Sequence, residues 1–436
     1  MNVTGTLRLA AMLSLWLLAS AATHAEVVRL EGHGGPVMAV ATVGPDRALT
    51  ASFDNSVGFW SLATGEPRWL EGHGAAVKAV IALPGDRAAS AGDDFAIIVW
   101  NLADGSIVHR LEGHNGSIAA LAVSADGSLL ASAGWDGRIG LWELGDGANV
   151  AWLSGHNGAV NDVVFVGEAL YSASADGTIR VWDTAARTET RVLLRHGFAI
   201  NCLLADPAAG WLAYGAVDGG TRVLSLDGDH ELADLSLGRR PILALAAHGD
   251  NLAVGDGEGQ IMVVGTDDWT IRHDFRAAEK GPVWALAFTP DGTRLIAGGI
   301  DNAAFILPVE GPAEPTMATA SRSFQRDPAT MDNGERQFQR KCSVCHTLTG
   351  DGERRAGPTL AGIIGRPAGV IAGFAYSDTL KDSDIVWSDD TLSALFDLGP
   401  EHYIPGSKMP MQRIVKADDR RDLIEFLRNS TSEQNP

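Results

Sequence analysis

The chain has 436 residues, 45% of them hydrophobic, with 34 Lys+Arg against 54 Asp+Glu and a formal net charge of −20. That length allows two or three domains with substantial cores. The acidity argues against nucleic acid or an anionic membrane surface as partner, since both need basic patches, and 3 cysteines are too few for a disulfide scaffold.

Residues 1–25 have the layout of a secretory signal peptide. Arg8 precedes the apolar run "LAAMLSLWLLASAA", and "ATHA" offers small residues before a cut after Ala25. A membrane anchor is the competing reading, but a bilayer span needs about 20 apolar residues and this run is shorter. The expectation is export and cleavage, with no membrane span after the cut.

Residues 26–310 are built on a repeat. "LEGH" stands at 30–33, 70–73 and 111–114, and "LSGH" at 153–156, so the spacings are 40, 41 and 42 residues. Each unit breaks into short strand-like runs such as "VKAVIAL", "RAASAG", "AIIVWNL" and "IVHRL", bounded by Gly, Asp or Pro. Four units share a further pattern. Trp60, Trp100, Trp142 and Trp182 follow Asp54, Asp94, Asp136 and Asp176 by six residues, and Thr50, Ser90, Ser132 and Ser172 by ten. Together with His33, His73, His114 and His156 these suggest a Ser/His/Asp hydrolase triad. Fourfold recurrence argues against it, because one active site needs one triad and a fold device recurs in every unit. Cys202, in "AINCLLA", reads as a buried core thiol.

The period, the Gly-His and the late Trp resemble the WD-repeat propeller family. The resemblance implies that the His–Asp–Ser/Thr–Trp sets are buried networks bracing each blade, and that the domain is a docking platform for other proteins. Three eroded units, "WLAYGAVDGGTRVLSL", "NLAVGDGEGQIMVVGT" and "RLIAGGIDNAAFILPV", bring the count to seven. They lose the Trp and the hydroxyl while Asp218 and Asp301 remain. The last unit has three strands, and "EVVRL" at 26–30 is expected to complete it and close the ring. Residues 311–330, rich in Pro, Ala, Ser and Thr, read as a flexible linker.

Residues 331–436 carry 13 Lys+Arg and 16 Asp+Glu, so most of the acidity belongs to the preceding part. Asp332 or Asn333 can cap a helix there. Phe338, Cys342 and Cys345 fall at i, i+4 and i+7, which would put both thiols on one helical face with His346 beside them. "KCSVCH" suits covalent haem c: two thioether links and one axial nitrogen. Structural zinc would need a second pair of ligands, and a redox dithiol would need a βαβ setting. Neither is present in the sequence.

The stretch from about 330 to 430 resembles a class I, mitochondrial-type cytochrome c, through "GPTLAGIIGRPAG", "GFAYSDTL", "IVWSDDTL" and "YIPGSKM". The expected architecture is therefore multidomain: an all-β seven-bladed propeller followed by an all-α class I cytochrome c fold. The resemblance implies that Pro358 orients His346, that Met409 is the second axial ligand, and that Arg366, Tyr376 and Trp387 hydrogen-bond haem propionates. It also implies that Gly334 and Phe338 pack on a C-terminal helix bearing Leu423, Phe426 and Leu427. Leu395 or Phe396 stands where the family often has a Tyr against the methionine sulfur. Met411 lies two residues past Met409 as a competing donor, and His402 nearby reads as a surface residue. The family's basic rim is thinned to Lys341, Lys408, Arg336, Arg413 and Lys416. The implied function is periplasmic electron transport through one covalent haem c, exchanging with redox partner proteins. The alternative is a redox enzyme or haem sensor whose propeller carries an unrecognised cofactor or regulatory partner site.

Overall fold

Alternating β-branched and small residues shape every repeat into one antiparallel sheet of four strands. In the second repeat these are Val77–Leu83, Arg87–Gly92, Ile97–Asn101 and Ile107–Leu111. The second strand, "RAASAG", is buried over five of its six residues, and its small side chains let neighbouring sheets approach. The fourth strand, "IVHRL", faces solvent over most of its length. The computed structural model describes residues 27–236, 238, 240–312, 314–317, 330–343, 345–350, 355, 357–372, 374, 376–404, 409 and 413–431. The segment assigned to a signal peptide lies outside these residues, as do Lys408 and Met411. No helix among the described residues is long and apolar enough to cross a membrane.

The described residues form seven such sheets. Blades 1 to 6 span residues 37–71, 77–111, 118–154, 160–195, 200–234 and 242–276, and blade 7 spans 283–308. The fourth strand of blade 7 is Val28–Glu31, paired antiparallel with Ala303–Pro308 in the register Val28↔Ile306 and Leu30↔Ala304. Leu30 is fully buried in that seam. Closure by the far end of the domain covers a sheet edge that would otherwise be exposed.

The repeated polar set is a closed donor–acceptor chain in blades 1 to 4. In blade 2, His73 Nδ1 lies 3.0 Å from Asp94, His73 Nε2 lies 2.8 Å from Ser90 Oγ, and Trp100 Nε1–H donates to Ser90 Oγ at 2.7 Å. Blades 1, 3 and 4 repeat the arrangement through His33, His114 and His156. Asp–His–Ser geometry of this kind matches a hydrolase triad, but the hydroxyl oxygen already accepts from Trp and is fully buried. The set braces the blade and offers no nucleophile. Burial pushes the Asp94 carboxyl up, and the His73 hydrogen bond and charge outweigh it, leaving the group at about 2. An arginine caps each acid in blades 2 to 5: Arg110 on Asp94, Arg138 on Asp136, Arg180 on Asp176 and Arg222 on Asp218.

The eroded units hold together differently from the sequence expectation. Blade 5 has a hydroxyl after all: Tyr214, at the strand position of Ser90 and Ser172. Its longer side chain reverses the histidine, so His196 Nε2 meets Asp218 at 3.1 Å and Nδ1 stands 3.4 Å from the phenol oxygen. On the innermost strands, Asn161 donates to the Ile200 carbonyl at 2.8 Å, Asn201 donates to the Ile242 carbonyl at 2.9 Å, and Asp162 accepts the Leu203 N–H at 2.8 Å. These bonds stitch blades 4, 5 and 6 together. Burial pushes the Asp162 carboxyl up to about 7.

The linker begins later than composition suggests. Met317 N–H donates to the Ala277 carbonyl at 3.0 Å, and Glu279 N–H donates to the Met317 carbonyl at 3.0 Å. The Met317 side chain is buried in the core shared by blades 6 and 7. Residues 314–317 therefore belong to the propeller, because one apolar side chain finds a slot that no periodicity announces.

Helices build the second domain: α1 (Asn333–Lys341), α2 (Asp378–Lys381), α3 (Asp389–Leu398), α4 (Pro400–Tyr403) and α5 (Ala417–Thr431). Asp332 caps α1 by accepting the Glu335 N–H at 2.7 Å. Ser388 and Thr391 form a reciprocal capping box on α3. Helices α1 and α5 cross at Gly334, where any Cβ would collide with the Asp422 carbonyl and Phe426. The Phe338 and Phe426 rings pack 5.5 Å apart beside the crossing, and Asn333 Nδ2 donates to Asp419 and Asp422. Leu423 and Leu427 face inward as their spacing predicts.

Candidate functional site

Helix α1 ends at Lys341, four residues short of the Cys345 that the cysteine spacing would place on its face. Cys342 is its C-cap, with its N–H on the Phe338 carbonyl at 2.8 Å, and the chain then tightens. Cys345 and His346 N–H both donate to the Cys342 carbonyl, at 3.0 and 2.9 Å. The two thiols and the imidazole thus come from a turn after the helix, not from its face. That turn still brings Cys342, Cys345 and His346 to one wall of a deep cleft.

The opposite walls come from distant segments. Gly357 N–H donates to the Cys345 carbonyl at 2.7 Å, and Leu360 N–H donates to the Thr347 carbonyl at 2.8 Å. This pairing delivers the Pro358 carbonyl to His346 Nδ1–H at 2.7 Å. With Nδ1 as donor, the Nε2 lone pair is left as a ligand position. Burial, outweighing the pull of the Pro358 carbonyl, lowers the His346 pKa and so favours the neutral ring. Gly357 is needed for the seat, because a Cβ there would collide with the His346 ring. Burial pushes the Cys342 thiol up to about 12 and the Cys345 thiol up to about 11. A redox dithiol has the opposite character, with at least one thiol lowered toward neutrality.

Met409, Arg366, Tyr376 and Trp387 all line the same cleft. Arg366 and Trp387 are fixed side by side by backbone pairing, Trp387 N–H to the Arg366 carbonyl at 3.0 Å and Gly365 N–H to the Trp387 carbonyl at 2.7 Å. The Arg366 guanidinium also donates to the Thr359 carbonyl at 2.8 Å, so its polar head is oriented before any ligand arrives. Leu395 and Phe396, at the position discussed for a tyrosine, are buried in the apolar wall. Arg413, one of the basic residues of the expected rim, is exposed, and its Nε donates to the Asp397 carbonyl at 2.7 Å at the end of α3.

The cleft is walled mainly by apolar side chains with a few polar groups among them, which suits a large flat apolar cofactor rather than a single ion. Among the described residues, its wall carries one buried hydroxyl without a hydrogen-bond partner, Ser377 Oγ. A buried orphan donor beside Tyr376 fits an acceptor such as a haem propionate. Nothing in the sequence marks Ser377 apart from its place beside Tyr376 in "GFAYSDTL". The apolar walls were illegible for another reason: they assemble from Leu360, Ile363, Leu380 and Ile404, which share no local pattern.

Residues 331–431 match the cytochrome c family, and residues 25–61, 105–143, 147–183 and 269–306 match the WD domain, G-beta repeat. Over 98 residues the chain is 43% identical to "Cytochrome c" of Gibberella zeae, covering 92% of that protein and 22% of this chain. Over 115 residues it is 40% identical to "Cytochrome c" of Arabidopsis thaliana, covering 99% of that protein and 26% of this chain. Over 99 residues it is 44% identical to "Cytochrome c" of Stellaria longipes, covering 90% of that protein and 22% of this chain.

The chain belongs to the cytochrome c family. Family membership implies haem binding and electron transfer, and the cleft residues of this cytochrome c fit that cofactor. Its WD-repeat propeller is consistent with a docking platform.

Proposed function

We propose that this protein is an exported, periplasmic single-electron carrier with one covalently attached haem c. Cys342 and Cys345 would form the thioether links, and His346 and Met409 would be the axial ligands. The observation that carries the reading is the hydrogen bond from His346 Nδ1–H to the Pro358 carbonyl at 2.7 Å, beside both thiols in a cleft that Met409 also lines. A haem held there supplies reversible one-electron exchange at its edge. The protein's own residues do the rest. Pro358 fixes the imidazole ring, Leu395 and Phe396 exclude water, and Arg366, Tyr376, Ser377 and Trp387 offer polar partners for propionates that would be costly to bury alone. Residues 1–25 are proposed as the export signal, and the propeller as the surface that docks redox proteins.

Visible spectra of the dithionite-reduced mature protein, with and without carbon monoxide, test this. A low-spin haem c spectrum unmoved by carbon monoxide is expected. A large shift would mean that the sixth position opens, and sensing or catalysis would replace electron carriage. Absence of a haem c spectrum would overturn the reading altogether.

A further inference from the structure

We propose that the face of blades 1 and 2 is a resident cap on the mouth of the cofactor cleft, and that an outside redox protein must displace it to reach that edge. This inference rests on the electron-carrier reading above. Five propeller residues, Phe53, Asn55, Ala75, Ala76 and Asp93, line the same cleft as Cys342, His346 and Met409. They come from three neighbouring turns on one face: the turn between the second and third strands of blade 1, the connection from blade 1 to blade 2, and the matching turn of blade 2.

The repeat supplies an internal control. Phe53 directly precedes Asp54, as Trp135 precedes Asp136 and Val217 precedes Asp218. Trp135 is 52% exposed and Val217 38% exposed, whereas Phe53 is half-buried. Large apolar side chains at this repeat position face solvent in blades 3 and 5 and face the cleft in blade 1.

The chemistry of the patch suits an apolar mouth. Phe53 and two alanines give the apolar surface, and Asn55 is neutral. Asp93 is the one charge, and it is compensated by Lys78 Nζ at 2.9 Å and by Ser117 Oγ–H at 2.5 Å. The Lys78 ammonium sits 3.8 Å over the Trp135 ring, which fixes it in place. A contact of three short turns whose one charge is already compensated within the propeller leaves each domain intact when it parts. Met317 is held in the propeller and Met331 is buried, so residues 318–329 join the two bodies. A segment of that length spans at most ~43 Å, enough for the cap to move aside.

The experiment uses the full-length haem-loaded chain and the variant Ala75→Arg, which places a long charged side chain in the patch outside the His–Asp–Ser–Trp sets. Reduction of the haem is followed by stopped flow with two donors, ascorbate and a reduced single-haem cytochrome c. Hydroxyl-radical labelling of Phe53 is compared with that of Trp135. The expected result is a threefold or greater acceleration with the protein donor and less than a twofold change with ascorbate. Phe53 should be protected relative to Trp135 in the parent chain and lose that protection in the variant. Equal acceleration by both donors, no acceleration by either, or Phe53 labelled as readily as Trp135 in the parent overturns the cap. The parent-chain labelling needs no variant and no bound haem, so a missing haem c spectrum would sink the electron-carrier reading separately.

Discussion

His73 and His346 are both buried, and they do opposite work. His73 has both ring nitrogens occupied, Nδ1 by Asp94 and Nε2 by Ser90. His346 has Nδ1 on the Pro358 carbonyl, and among the described residues no hydrogen bond engages its Nε2. The first histidine closes a circuit and can only brace. The second is oriented from one side and available on the other, inside a cleft large enough for a cofactor. The difference teaches how to separate scaffold from site in a chain that contains both. One asks what each polar atom still lacks, rather than whether a familiar triplet of residue types is present.

The sharpest way to break this comparison is to remove each histidine in turn. His346→Ala should abolish the low-spin haem c spectrum, with the propeller's thermal unfolding unchanged. His73→Ala should leave that spectrum intact and destabilise the propeller by about 3–5 kcal/mol, because Asp94 and Ser90 lose a buried partner. Thermal melts and visible spectra of both variants check the pair, and a spectral change in His73→Ala would refute the division.

Acid should separate the two domains next. The Asp94 carboxyl stands at about 2 in the folded protein against an ordinary 3.8. Its folded pKa is depressed, so its contribution is fully present above about pH 4 and is lost as the pH falls toward 2. The size is about 2 kcal/mol. Urea denaturation across that window should show the loss in the parent and a flatter profile in Asp94→Asn. The smallest effect is expected in blade 5. Tyr214→Phe removes only a long 3.4 Å contact with His196, so it should cost less than about 0.5 kcal/mol. A cost comparable to that of Ser90→Ala would mean that the reversed histidine braces its blade as well as the others.

Legibility followed repetition and local signals. The four complete sets could be read because Trp, Asp and hydroxyl recur at fixed offsets, and the closing strand because blade 7 lacked one. Asp332 was visible as a cap because a carboxylate before a helix accepts a free N–H. Tyr214 escaped because a phenol reaches farther than a serine and turns the ring it meets. Met317 escaped because a single buried methionine leaves no period. The i, i+4, i+7 spacing of Phe338, Cys342 and Cys345 runs the helix too far, because it reports only which residues can share a face. It does not report where a carbonyl, here that of Cys342, gathers two N–H groups and ends the helix in a turn. The cleft residues tied to a motif, His346, Pro358 and Arg366, were found; those acting only through shape or a lone hydroxyl, such as Ile363 and Ser377, were not.

Anchoring at Met317 and Met331 also sets a concentration. One domain confined within ~43 Å of the other's anchor is present at on the order of 5 mM from its neighbour's point of view. A contact between the separated domains with a Kd near 1 mM would be almost undetectable in a mixing experiment. Within this chain the same contact would be formed most of the time, and an incoming redox protein would compete against a millimolar propeller face for the mouth of the cofactor cleft.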